Sequence, residues 1–249
     1  MKQFITKIKP SIGLSQIFYN ILNILLPFVV YVLVTWDLAL AALVVILLSK
    51  WRMLAVRPHF WPANIRANSV DIIVNVALLL FMMQTVDTTL RLIWVGLYLL
   101  WLVFIKPATG VFMVSLQAFV GMLSGLMALF TVWGDAPLLG LVLATGFMCY
   151  LAARHFFDSF EEPYARLLAL LWAYFAAALV WVLGHWLVYY YIVAQPVLLL
   201  MAIGSGLSTL YYLDHHEKLS GGIQKQIIFI MVATIIIVMI FPGWRDKII

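Results

Sequence analysis

The segment RLLALLWAYFAAALVWVLGH, residues 166–185, settles the structural class of this chain. Between Arg166 and His185 every side chain is uncharged, and nearly all are aliphatic or aromatic. A helix needs roughly 17–25 apolar residues to cross the hydrocarbon core of a bilayer. The segment therefore predicts a transmembrane helix.

The rest of the chain has the same character. Of its 249 residues, 66% are hydrophobic and only 10% are charged, and the mean hydropathy is +1.09. Soluble domains are nearer 45–50% apolar and about 25% charged. No water-soluble fold could cover so much apolar surface, so the soluble classes are excluded. Because apolar runs recur along the whole length, residues 1–249 are predicted to form one integral membrane domain, an all-α polytopic transmembrane helix bundle.

Nine apolar segments are predicted to cross the membrane. The weakest of them is the second, because Ser49 and Lys50 follow after about eleven uncharged residues. It crosses only if Lys50 and Arg52 extend to the lipid headgroups, and eight spans are the alternative. The predicted segments are 14–36, 38–54, 69–86, 89–105, 109–133, 137–154, 166–185, 187–213 and 225–242.

The charges between these segments predict the orientation, since Lys and Arg accumulate on the cytoplasmic side. With the N-terminus inside, the three basic residues on the outer side are Arg91, Arg245 and Lys247. This predicts N-in and C-out in a bacterial-type cytoplasmic (inner) membrane. The predicted partners are membrane lipids, with anionic headgroups on the cytoplasmic side, and not nucleic acid. The basic residues placed inside are Lys2, Lys7, Lys9, Lys50, Arg52, Arg57, Arg66, Lys106, Arg154, Arg166, Lys218 and Lys225.

Two polar clusters on the cytoplasmic edge are candidate sites. His155, Asp158, His215 and His216 could together form a nitrogen and oxygen metal site, or they could be solvated groups at helix ends. The stretch 51–69 places Arg52, Arg57 and Arg66 among aromatic residues and prolines. Guanidinium groups match phosphate geometry, so these arginines are predicted to contact lipid headgroups or a phosphate. The alternative is an ordinary basic loop with interfacial anchors. The sequence identifies no cofactor.

Other residues within the segments point to contacts between helices. The deep amides, among them Asn75, Gln117 and Gln195, are predicted to form hydrogen bonds between helices. GMLSG, residues 121–125, is a GxxxG motif that lets two helices approach closely. Its Gly121/Gly125 face is therefore also a candidate contact for a protein partner or a second copy of the chain.

The pattern EExxxR, formed by Glu161, Glu162 and Arg166, opens the 166–185 segment. It resembles the first motif of the CAAX-type (CPBP) intramembrane endopeptidase family, and the resemblance covers residues 155–235. It implies that Glu161 and Glu162 activate a water for peptide hydrolysis, while Arg166 orients the substrate or stabilises an anion. Paired carboxylates suit this role because crowding and burial let one of them act as a base.

The histidine motifs of that family are matched only in part. WVLGH, residues 181–185, has the letters of the second motif, but roughly 30–35 Å of helix separates Glu162 from His185. Gln195 and Gln226 stand where the resemblance would place further histidines. Glutamine can form hydrogen bonds but cannot accept a proton near neutral pH. His215 and His216 are the residues that could substitute.

Three functions are consistent with these patterns. The first is a non-catalytic membrane protein that acts in scaffolding, assembly or lipid contact. The second is a membrane-embedded hydrolase related to the CAAX proteases, and the third is a transporter or channel for a neutral or lipidic solute.

Overall fold

The computed structural model describes residues 14–190 and 192–241 and confirms an all-α protein. A π turn at Trp101–Ile105 extends α6, and a two-residue hairpin, β1 (Tyr189–Tyr190) with β2 (Val193–Ala194), precedes α10. The helices are α1 (Leu14–Thr35), α2 (Ala39–Ser49), α3 (Trp51–Leu54), α4 (Trp61–Ala67), α5 (Ser69–Gln84), α6 (Thr88–Leu100), α7 (Val111–Trp133), α8 (Leu138–Asp158), α9 (Ala165–Leu183), α10 (Gln195–His215) and α11 (Gly221–Ile240).

Six of the described helical segments are long and apolar enough to cross a membrane: Thr88–Ile105, Val111–Trp133, Leu138–Asp158, Ala165–Trp186, Gln195–His215 and Gly221–Ile240. A seventh results if Pro58–Ala67 and α5, which meet at a 62° bend, are counted as one. Ile21–Thr35 and α2 are shorter apolar helices. The lengths and compositions of the six long helices are those of a membrane-embedded helix bundle.

Two predicted segments are not continuous helices in the structure. The segment 187–213 does not begin as a helix, because its first residues form the hairpin and α10 starts only at Gln195. Tyrosine and valine favour strands, and Pro196 suits the first turn of a helix. The segment 38–54 is interrupted after Ser49, so that α2 has eleven residues. The predictions that concern Lys2, Lys7, Lys9, Arg245 and Lys247 lie outside the described residues.

Two large apolar cores of the described residues meet at α7, and a third, small cluster is formed by Ala118, Phe156 and Phe160. Helices α1, α2, α5 and α6 enclose the first, which includes the fully buried Val30, Ile46 and Met82. Helices α7, α8, α9 and α10 enclose the second, with Leu126 and Leu200 at its centre. Helix α7 contacts α5, α8 and α10 and so connects the two halves.

The GxxxG motif of α7 is the contact between these halves. A Cβ atom added at Gly121 would lie 2.7 Å from Cγ1 of Val70, and one at Gly125 would lie 2.5 Å from Cγ2 of Ile73. Both valine and isoleucine belong to α5, so the two helix backbones approach too closely for any side chain. The predicted close approach occurs within the chain, and α5 packs on the Gly121/Gly125 face.

Helix α11 lies at the edge of the bundle, where it packs along α10, and a carbonyl group near its C-terminal end accepts hydrogen bonds from the hairpin and from α10. The carbonyl of Val238 would normally bond to the N–H of residue 242, which is proline and has none. The hydroxyl of Tyr190 and Nε2 of Gln195, at 3.2 Å, donate to that carbonyl instead. Gln195 therefore forms the predicted contact between helices, and the hairpin fixes the end of α11.

The double variant Tyr190→Phe/Gln195→Leu is expected to loosen the C-terminal turns of α11. A buried carbonyl that loses its donors is destabilised, and one net hydrogen bond changes an opening equilibrium about fivefold. Hydrogen–deuterium exchange of peptides from 230–241 should accelerate by at least that factor. Tyr189→Phe is the matched control, because Tyr189 donates to Phe130 and not to α11. Unchanged exchange in the double variant would refute the role of the hairpin.

Candidate functional site

A cavity of about 510 Å³ lies between α7, α8, α9 and α10. It extends from the end of the bundle near Tyr211 to about the middle of α7 and α10, at Met122 and Ile203. This volume is within the range of pockets that bind small ligands. The described lining residues carry no charge: Ser115, Ala118, Phe119, Met122, Ala152, Ala153, Phe156, Phe157, Leu168, Leu171, Trp172, Phe175, Ile203, Gly204, Leu207, Ser208 and Tyr211.

The cavity opens sideways, toward the outer surface of the bundle. Leu171 and Phe175 of α9 line it and are 57% and 40% exposed, and Leu207 of α10 lines it and is 47% exposed. These residues lie inside helices that are long enough to cross a membrane. The opening therefore lies on a surface that faces hydrocarbon wherever these helices cross a membrane.

Glu162 forms an acidic contact at the rim of the cavity. Its Oε2 accepts a hydrogen bond from the hydroxyl of Tyr211, which lines the cavity. The ring of Tyr211 is held by edge contacts with Phe157 and Phe160, with centroids 5.2 and 5.1 Å apart. The carboxylate thus has a fixed position where the apolar cavity meets the loop between α8 and α9.

The other residues of the EExxxR pattern do not share this position. Glu161 is exposed and adopts a left-handed backbone conformation with φ 53°, which turns the chain from α8 toward α9. Arg166 is exposed in the first turn of α9. His185 lies beyond the opposite end of α9, where its Nδ1 contacts the carbonyl of Trp181 at 2.8 Å. The structure therefore separates Glu162 from His185, as helix geometry predicts.

The predicted metal ligands are not assembled into one site. Nε2 of His155 contacts Oε1 of Gln117 at 3.0 Å, and Asp158 forms an ion pair with Arg154 at 2.9 Å. The rings of His215 and His216 stack on Tyr211 and Tyr212. Across the described residues, no three or more His, Cys, Asp and Glu side chains converge to hold a metal ion.

Gln117 instead has a structural role at this end of the bundle. Its Nε2 donates to the carbonyls of Ile105 and Ala108, at 2.7 and 3.0 Å, which lie where α6 ends. With Oε1 in contact with His155 of α8, this one side chain connects α6, α7 and α8. This is the contact between helices that the sequence predicts for a deep amide.

A buried ion cluster lies between α2, α5 and α6. Oδ2 of Asp71 is 2.5 Å from Nζ of Lys50 and 2.9 Å from Nζ of Lys106, while Oδ1 accepts from Nε1 of Trp101 at 3.0 Å. Nδ2 of Asn75 donates to the same Oδ1 at 3.0 Å. The side chains of Lys50 and Asp71 are only 6% and 9% exposed. Each charge therefore depends on its partners in place of water.

The three predicted headgroup residues lie in the segment between Lys50 and Ser69. Arg57 and Arg66 are exposed, and Arg52 belongs to α3 although its side chain is not among the described groups. These arginines and Glu162 are candidate site residues that the sequence predicts. The sequence did not identify Tyr211, the cavity or the pairing of Lys50 with Asp71. The sequence does contain a signal for that pair, because Lys50 lies toward the end of one apolar segment and the oppositely charged Asp71 near the start of the next.

No family model, curated protein or solved structure matches this chain in the comparisons with known proteins.

Proposed function

We propose that this chain is a multi-pass membrane protein that binds the hydrocarbon chain of a lipid between α7, α8, α9 and α10, without catalysing a reaction. The observation that carries the proposal is the sideways opening of an uncharged cavity at Leu171, Phe175 and Leu207. A cavity in that position exchanges its contents with the surrounding lipid. The polar rim at Glu162 and Tyr211 is where a lipid headgroup would lie.

The proposal includes nine membrane segments, N-in and C-out, in a bacterial-type cytoplasmic membrane. The contacts of Lys50, Asp71 and Lys106 support it, because they bring the ends of α2, α5 and α6 to one face of the bundle. Asp37, Asp87 and Asp135 lie in turns at the opposite ends of the helices. Lys50 and Lys106 thus lie at the ends of the helices opposite these aspartates, a distribution that supports a cytoplasmic location under the positive-inside rule.

Affinity in such a site comes mainly from shape and from the rim. Lipid tails are as apolar as leucine, so moving a chain from the bilayer into the cavity gains little hydrophobic free energy. The gain is the dispersion contact with side chains that would otherwise face a void. A variant that fills the void is therefore expected to displace the lipid without disturbing the helices.

Ser208→Phe is expected to reduce labelling of the cavity by a photoactivatable fatty acid about tenfold, which corresponds to about 1.4 kcal/mol. The phenyl ring is much larger than the serine side chain, and it would occupy the space between α8 and α10 that the fatty-acid chain needs. The measurement is the yield of cross-linked peptides containing Leu171 or Leu207 from full-length protein in detergent micelles.

Thr209→Phe is the matched control for this experiment. The hydroxyls of Ser208 and Thr209 both donate to the carbonyl of Ser205, but only Ser208 lines the cavity in the described structure. Labelling should persist in Thr209→Phe, and both variants should unfold at the temperature of the parent protein. Equal labelling of the two variants would contradict lipid binding in this cavity.

Hydrolysis of a peptide, prenyl or lipid-linked substrate is the second candidate function. The observation that favours it is the carboxylate of Glu162 at the rim, bonded to Tyr211. Under this candidate, Glu162→Gln abolishes cleavage of a prenylated peptide by the purified protein but leaves the fatty-acid labelling intact. An absence of cleavage by the parent protein, with labelling present, leaves lipid binding as the function.

A further inference from the structure

Residues 51–68, here called the interfacial segment, form a small folded unit outside the helix bundle. It consists of α3, a 3₁₀ turn at Pro58–Phe60 and α4, and it meets α5 at the 62° bend. Nε1 of Trp61 donates to the carbonyls of Leu54 and Val56, both at 3.1 Å. Nδ2 of Asn64 donates to the carbonyl of Met53 at 3.3 Å. These bonds hold α4 against α3, so the segment has a defined shape.

The buried ion cluster holds the two ends of the interfacial segment together. Lys50 comes directly before the segment and Asp71 three residues after its last residue, and their charged atoms are 2.5 Å apart. Lys106 reaches the same carboxylate from the end of α6. The chain therefore leaves and re-enters the bundle at one point, and the segment projects from there.

The lengths of the neighbouring helices place this point near the level of the headgroups. Helix α2 has eleven residues and α5 has sixteen, which correspond to about 16 and 24 Å. Both are shorter than the hydrocarbon core of about 30 Å. The interfacial segment therefore lies in the remaining depth, at the boundary between hydrocarbon and headgroups.

The exposed surface of the segment combines apolar and cationic groups. Trp51 and Phe60 are 59% and 53% exposed, and Leu54, Trp61 and Ile65 are exposed as well. Arg57 and Arg66 are exposed among them, and the sequence has no acidic residue between 51 and 70. Large apolar groups in water are unfavourable, and aromatic residues prefer the membrane interface. The charges favour phosphate groups, which guanidinium forks bind well.

We propose that the interfacial segment is a binding site for anionic lipid headgroups, separate from the cavity and independent of the function proposed for it. Its apolar side chains insert at the edge of the hydrocarbon while Arg57 and Arg66 bind lipid phosphates. The ion cluster at its base keeps this surface directed at the membrane.

The test uses the full-length protein in nanodiscs of phosphatidylcholine with 0–40% phosphatidylglycerol. A fluorescent dye is attached to Ile65→Cys, which is selective because the native Cys149 is fully buried. Quenching of the dye by aqueous iodide should fall as the anionic lipid increases. In the double variant Arg57→Gln/Arg66→Gln, the apparent affinity for the anionic lipid should fall about fivefold per arginine removed, or about 25-fold for both, so that little protection remains even at 40% phosphatidylglycerol.

The double variant Lys218→Gln/Lys225→Gln is the control. It removes two exposed cations that are predicted to lie on the same face of the bundle as the interfacial segment but are not part of that segment. Its protection curve should match that of the parent protein. The proposal is overturned if quenching does not depend on phosphatidylglycerol, or if both double variants shift equally. Protection that persists in pure phosphatidylcholine and in the arginine variant would also overturn it, since that result indicates an uncharged or protein partner.

Discussion

Asp71→Ala is expected to lower the free energy of unfolding by about 3–5 kcal/mol, the largest effect of any single substitution considered for this protein. The substitution leaves Lys50 buried and without its counter-charge, and it removes the acceptor for Trp101 and Lys106. Almost no water reaches the pair, because the Lys50 and Asp71 side chains are only 6% and 9% exposed. Solvent screening therefore does not reduce the effect.

The measurement is the unfolding of the purified full-length protein by SDS in mixed micelles, followed by tryptophan fluorescence. Asp158→Ala is the control, since Asp158 is 44% exposed and pairs with Arg154 at the surface of α8. Such a pair contributes about 0–1 kcal/mol. The triple variant Lys50→Met/Asp71→Leu/Lys106→Met, which removes all the charges, should recover most of the stability. A loss of less than about 1 kcal/mol in Asp71→Ala would show that the cluster is not buried as described.

Gly125→Leu is expected to destabilise the contact between α5 and α7 by about 1–3 kcal/mol or more. The Cβ atom alone would lie 2.5 Å from Cγ2 of Ile73 and 3.4 Å from Sδ of Met148. The methyl group of Ile73 is attached at its branched Cβ, which has one strongly preferred rotamer in a helix. It cannot move aside as a long side chain would, so α5 and α7 must separate.

The same SDS titration tests this expectation. Gly96→Leu in α6 is the control, because a Cβ there would meet no atom within 4 Å. The double variant Gly125→Ala/Ile73→Ala should be more stable than Gly125→Ala, since it removes the methyl group that clashes. If Gly125→Leu and Gly96→Leu unfold at the same SDS concentration, the close crossing of α5 and α7 is incorrect.

The sequence predicts the residues of some candidate sites better than those of others. The basic stretch around Arg57 and Arg66 stood out because charge is rare in this chain, and the structure adds its folded shape and exposure. Gln117 and Gln195 form the predicted contacts between helices, with partners that the sequence does not identify, whereas Asn75 bonds to Asp71 within α5. The described structure does not bring the four candidate metal ligands together, since His155 and Asp158, though close in sequence, contact Gln117 and Arg154 instead.

The sequence by itself determined the class of the protein. Hydropathy is a local property, so a run such as 167–184 predicts a helix of membrane length without knowledge of its neighbours. The tertiary structure alone decided which helices meet: α5 against Gly121 and Gly125, and the sideways opening beside Leu171. In lipid, a buried face and a lipid-facing face are equally apolar, so hydrophobic patterning cannot distinguish them. Helix pairing depends instead on close steric fit and on a few polar bonds, such as that of Lys50 with Asp71, which only the three-dimensional arrangement shows.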